Sequence, residues 1–92
     1  MSKKKRLEAV AERCQEARRR VQVAVENHQA GRPEDLNIEI LENVRADLSQ
    51  MSKILDKNHF RPSYGRYLLD WPDEHGLVEY LLGVAQDYCR WT

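Results

Sequence analysis

No glycine-rich loop of the kind that cradles phosphate interrupts this sequence, and it contains no internal repeat or low-complexity run. No apolar stretch approaches the length of a membrane span, roughly 20 residues. The two cysteines, Cys14 and Cys89, are too few and too scattered for a disulfide framework or a paired metal knuckle. Buried, inert thiols in a reducing cytoplasm are therefore expected. The start, Met1-Ser2-Lys3-Lys4-Lys5-Arg6, is basic but lacks the apolar stretch that would follow in a secretory signal. No aromatic residue precedes Phe60, so the basic N-terminal part has no ring interleaved for base stacking. A net charge of zero, with 15 Lys/Arg against 15 Asp/Glu, disfavours general nucleic-acid binding, which usually draws on a positive surplus. No paired carboxylates, no nucleophile beside a base and no phosphate loop stand out, so neither an enzyme nor a cofactor is expected.

What the chain does have is two apolar ladders that step by three and four residues. One is Leu7, Val10, Cys14, Ala17, Val21, Ala24, His28, and the other is Leu41, Val44, Leu48, Met51, Leu55. That spacing keeps a stripe on one side of a helix. The first helix is expected over about residues 4–29 with Gly31 as its stop, and the second over about 35–59, ended by Arg61-Pro62. The short link between them forces an antiparallel hairpin. Its first strut is small-sided at Cys14, Ala17 and Ala24, so a partner helix can come close.

Beyond the hairpin, Tyr64, Tyr67, Leu68 and Trp71 follow i, i+3, i+4, i+7. They suggest a short helix over about 63–70, capped by Ser63 and crossing the open end of the hairpin. A third long helix is expected over about 74–90, completing an up-down-up bundle. The fold class is all-α, a single helical-bundle domain over residues 1–92. This last helix is apolar over most of its circumference, and only Glu79, Gly83, Gln86 and Arg90 make a polar strip, at steps of four, three and four. Either the 60–72 segment folds back over its free side or that side is an interface, and the interface is the reading adopted.

Charge is unevenly placed: residues 1–33 carry a net +5, residues 34–58 a net −3 and residues 59–92 a net −2. Part of this cancels when the first helix lies along the second, and the remainder would steer association. Arg6, Arg13 and Arg20 recur every seven residues beside the first stripe. They are the candidate phosphate contacts of an alternative reading, a nucleic-acid-binding regulator, although Glu8, Glu12 and Glu16 interrupt that field. His59, His75, Asp70 and Asp73 are expected at one end of the bundle with His28 at the other, in no metal-binding spacing.

The function expected is non-catalytic protein–protein interaction, of the small adaptor, escort or chaperone-like, inhibitor or toxin-neutralising type. The partner is another protein, a second copy of the chain, or both; nucleic acid is disfavoured and no membrane is involved. The candidate partner-binding residues are Arg61, Tyr64, Arg66, Tyr67, Trp71, Tyr80, Leu82 and Trp91, because Arg, Tyr and Trp concentrate binding energy at interfaces.

Overall fold

Ser2 opens the first helix by accepting a hydrogen bond on its hydroxyl from the Lys5 N–H (3.3 Å). The computed structural model describes residues 2–92, which form α1 (Lys3–Gln29), α2 (Ile38–Lys53), α3 (Gly65–Leu68) and α4 (Leu77–Trp91). α1 stops where glycine allows it to. Gly31 takes φ 75°, its N–H donates to the His28 carbonyl (3.0 Å), and the Arg32 N–H donates to the Asn27 carbonyl (2.8 Å). These two bonds satisfy carbonyls that the helix end would otherwise orphan. His28 in the last turn donates from Nε2 to the Leu36 carbonyl (2.5 Å) and so fastens the link between α1 and α2.

α2 is shorter than its periodicity suggested, beginning at Ile38 rather than near 35 and ending at Lys53 rather than near 59. At its start Asn37 caps it, the amide oxygen accepting from the Ile40 N–H (2.8 Å). At its end, long-range partners take over. The freed Ile54 carbonyl receives the Tyr88 hydroxyl, the Lys57 N–H donates to Thr92 Oγ1 (3.1 Å), and Asp56 folds the next residues into a turn. Leu55, the last rung of the second ladder, therefore lies outside the helix yet still packs against the core.

The segment 54–76 does not cross the open end of the hairpin; it climbs back along it. Asp47, in the second half of α2, accepts from the Ser63 N–H (2.8 Å) and the Tyr64 N–H (3.0 Å) at one carboxylate oxygen. Asp47 thus caps α3 from another helix, and Ser63 is not the cap; its own hydroxyl donates to the same oxygen (3.3 Å). Farther on, Asp35 accepts from the His75 N–H (2.9 Å) and from His75 Nδ1 (3.1 Å), bringing the chain back to the α1–α2 link. As a result α4 runs antiparallel to α1 and parallel to α2, with Arg20 opposite Tyr80 and Arg13 opposite Asp87. The up-down-up expectation is corrected on this point, and so is the placement of the histidines. His28 and His75 share one end, whereas His59, bonded to Asp56 (2.8 Å), lies at the other.

α4 starts three residues later than expected, at Leu77. Gly76 adopts φ 80°, and the Asp73 carboxylate reaches over to accept from the Val78 N–H (2.9 Å) and the Glu79 N–H (3.1 Å). α1 packs against both α2 and α4. Its buried stripe of Val10, Cys14, Ala17, Val21 and Ala24 meets the bulk supplied by Leu41, Val44, Leu48 and Met51 on one side and by Val78, Leu81, Val84 and Tyr88 on the other. Tyr64 and Leu68 close the gap between α2 and α4. Each fully buried aliphatic side chain contributes about 1.5–3 kcal/mol.

Gly83 lies mid-helix in α4, where a Cβ would meet nothing closer than an Arg13 guanidinium nitrogen at 3.9 Å. Helix propensity then governs the outcome. Gly83→Ala is expected to raise the unfolding free energy by about 0.5–1 kcal/mol in urea titrations of the dilute protein.

Candidate interaction surface

Two leucines adjoin at the end of α3, and a helix of one turn buries only one of them. Leu68 points into the core, while Leu69 is 73% exposed. Leu69 stands over a trough of about 390 Å³ whose walls are Pro62, Gly65, Leu82, Ala85 and Cys89. Toward the start of α4 the trough continues past Trp71, Asp73, Val78 and Glu79, sharing Leu69, Leu82 and Gln86. Docked on α2 by Asp47 and on α4 by the Tyr64 hydroxyl, which donates to the Leu81 carbonyl (2.6 Å), α3 forms a fixed wall. The solvent edge of α4 beside the trough is its polar strip, Glu79, Gly83, Gln86 and Arg90.

The residues anticipated for partner binding divide. Tyr64 is buried and cannot reach a partner; it is corrected from contact residue to structural post. Arg61 and Arg66 are exposed, Tyr67 is 51% exposed, and Leu82 lines the trough half-buried. Trp71 and Trp91 are half-buried against the core. Tyr80 faces α1, where the Arg20 guanidinium lies 3.9 Å from its ring centre and that of Arg13 5.7 Å. The expectation that α4 keeps a broad bare face is also corrected. The 60–72 segment does fold back over it, and none of its large apolar side chains is fully exposed. Leu69, Pro62, Gly65 and Cys89 were not anticipated as a site. The adjoining pair Leu68-Leu69 was the available signal.

Neither a protein-family model, nor a curated protein, nor a solved structure matches this chain.

Of the three arginines proposed for phosphate, only Arg6 is fully exposed without a bond to another side chain described for it. Arg13 pairs with Asp87, and Arg20 stacks on Tyr80 while contacting Glu16 (3.3 Å). Arg19 binds Glu16 in a fork (2.6 and 2.9 Å), and this fork, aided by Arg20, holds the Glu16 carboxyl down at about 2. Such exposed pairs contribute little to stability, because solvent screens them. Among the described residues, no three His, Cys, Asp or Glu side chains gather as a metal site would require. The Cys14 thiol is pushed up to about 11 by burial, only partly offset by Arg13, which is opposite to the activation a catalytic cysteine needs.

Asp35 is buried, and its carboxyl is held below the usual range chiefly by the His75 backbone N–H and next by the His75 ring. Its unfolded value is about 3.9, so the bonds to the anion stabilise the fold above that pH and fade as pH falls through the lowered folded value. Asp35→Asn is expected to flatten the acid limb of the stability curve below about pH 4 and to lower stability near neutrality. Urea titrations at a series of pH values would check both.

Proposed function

We propose that this protein is a non-catalytic interaction protein that docks another polypeptide at the α3–α4 trough. The observation that carries the reading is Leu69, a large aliphatic side chain left 73% exposed beside an apolar hollow on a chain with one-third charged residues. Contiguous apolar surface of this kind, rimmed by charge, marks sites of association. Tyr67, Arg61 and Arg66 lie on or next to the same connector and supply residue types that concentrate binding energy. A small adaptor, escort, inhibitor or toxin-neutralising role fits such a surface. Net-negative residues 59–92 and a basic α1 give association a salt-dependent on-rate. The nucleic-acid alternative loses support because Arg13 and Arg20 are turned toward Asp87, Glu16 and Tyr80.

Leu69→Asp tests this. Because so little of Leu69 is buried, the variant is expected to unfold within about 0.5 kcal/mol of the parent. It should lose the polypeptides that co-purify with the parent from its own cells. An unchanged set in a protein that is also strictly monomeric, or a variant that no longer folds while Leu69→Ala binds normally, would overturn the proposal.

A further inference from the structure

The α4 edge and its neighbouring trough carry both halves of one match: a protruding leucine beside an apolar hollow, and opposite charges at opposite ends. Resting on the interaction reading above, we infer that the occupant of the trough is a second copy of this chain, docked antiparallel across a two-fold axis. Glu79, Gly83 and Gln86 line the trough, and helical geometry puts Arg90 on the same strip. The strip is therefore acidic at its start and basic at its end, while at its centre Gly83 adds no side chain and the Arg13–Asp87 ion pair lies beside it.

A two-fold axis between Gly83 and Gln86 lays Glu79 of one copy on Arg90 of the other, twice over, with Gly83 against Gln86. Parallel docking would instead set Glu79 on Glu79 and Arg90 on Arg90, so charge selects the antiparallel order. The same rotation carries each Leu69 toward the other copy's trough. Asp73 lines the trough at the acidic end beside Glu79, and exposed Arg61 precedes Pro62, which lines it with Cys89. A standard interface buries about 800 Å² per partner. The chain exposes 5930 Å², so such a face takes only a modest part of it.

Cys89 provides a native reporter. It lines the trough half-buried, whereas Cys14 is fully buried and is expected to stay unreacted in the folded chain. Sedimentation equilibrium of the full chain from about 5 to about 500 µM is expected to show a monomer–dimer equilibrium weakening with salt. Cys89 alkylation should slow as the dimer fills. Glu79→Arg and Arg90→Glu are each expected to weaken the dimer by at least about tenfold, and the double exchange to recover it to within about threefold. Circular dichroism confirms that each variant is helical. If a charge variant fails to fold, Cys89 protection in the parent still decides.

A strict monomer, a dimer indifferent to both single reversals, or a dimer with unprotected Cys89 would each overturn the inference. A monomer that still loses its co-purified polypeptides through Leu69→Asp overturns only the second copy as occupant. A monomer whose co-purified set is unchanged by Leu69→Asp overturns the interaction reading as well.

Discussion

Tyr64→Ala is expected to lower the unfolding free energy by about 4 kcal/mol, and Tyr64→Phe by about 1–2 kcal/mol. The larger figure follows from complete burial of the ring between α2 and α4. The smaller follows from one lost bond, the hydroxyl donated to the Leu81 carbonyl at 2.6 Å. Chemical denaturation separates the two contributions. Burial also holds the phenol above its ordinary value, and Tyr88 shifts the same way for the same leading cause. The unfolded chain releases these protons near pH 10 while the folded chain keeps them. Stability contributed by the protonated rings is thus complete below about pH 10 and declines as pH rises beyond it, more gently in Tyr64→Phe. Because Tyr64 also fixes α3, Tyr64→Ala should unseat Leu69 and raise the alkylation rate of Cys89 under native conditions.

The two long ladders were legible because their rungs depend only on the 3.6-residue period. Val10, Cys14, Ala17, Val21 and Ala24, like Leu41, Val44, Leu48 and Met51, are all buried. Gly31 was legible as a stop because no other residue takes φ 75° so readily. The ends of α2 were not. Asp35 looks like a first-turn acid, but its carboxylate is spent on His75, forty residues away. Ile54 looks like the next rung, but its carbonyl turns to Tyr88. Local patterns contain no information about partners so remote in sequence.

The direction of α4 was hidden for a related reason. Whether the chain crosses the hairpin's mouth or climbs its flank depends on where segment 54–76 finds hydrogen bonds. Asp47, in the second half of α2, decides it by accepting from the Ser63 and Tyr64 N–H groups. Of the residues anticipated for partner binding, Trp71 and Leu82 line the trough, while helical spacing grouped Tyr64 with Tyr67 although the first is buried and the second exposed. A one-turn helix has no second turn to average its orientation, so the period misassigns faces there. Leu69 was missed because the pair Leu68-Leu69 does not itself say which of its two leucines a single turn will bury.

Tyr88→Ala is expected to cost about 4 kcal/mol as well, yet to fail differently. The Tyr88 hydroxyl has one proton and two carbonyls in reach, those of Ile54 and Phe60, the latter at 3.1 Å. Only one carbonyl can hold it fully, so Tyr88→Phe orphans a single acceptor and should cost about 1–2 kcal/mol. Those carbonyls bracket the turn that follows α2, and Thr92 pins the same turn by accepting from Lys57 and donating to the Tyr88 carbonyl (2.6 Å). Loss of the hydroxyl should therefore loosen residues 54–60 first while α3 and the trough stay docked through Asp47 and Tyr64. Amide hydrogen exchange distinguishes the variants. Tyr88→Phe is expected to speed exchange at Lys57 with little change at Ser63 and Tyr64, and Tyr64→Phe to do the reverse. Uniform acceleration in both would mean that the connector opens as one unit, and the separate anchoring of its two halves would be disproved.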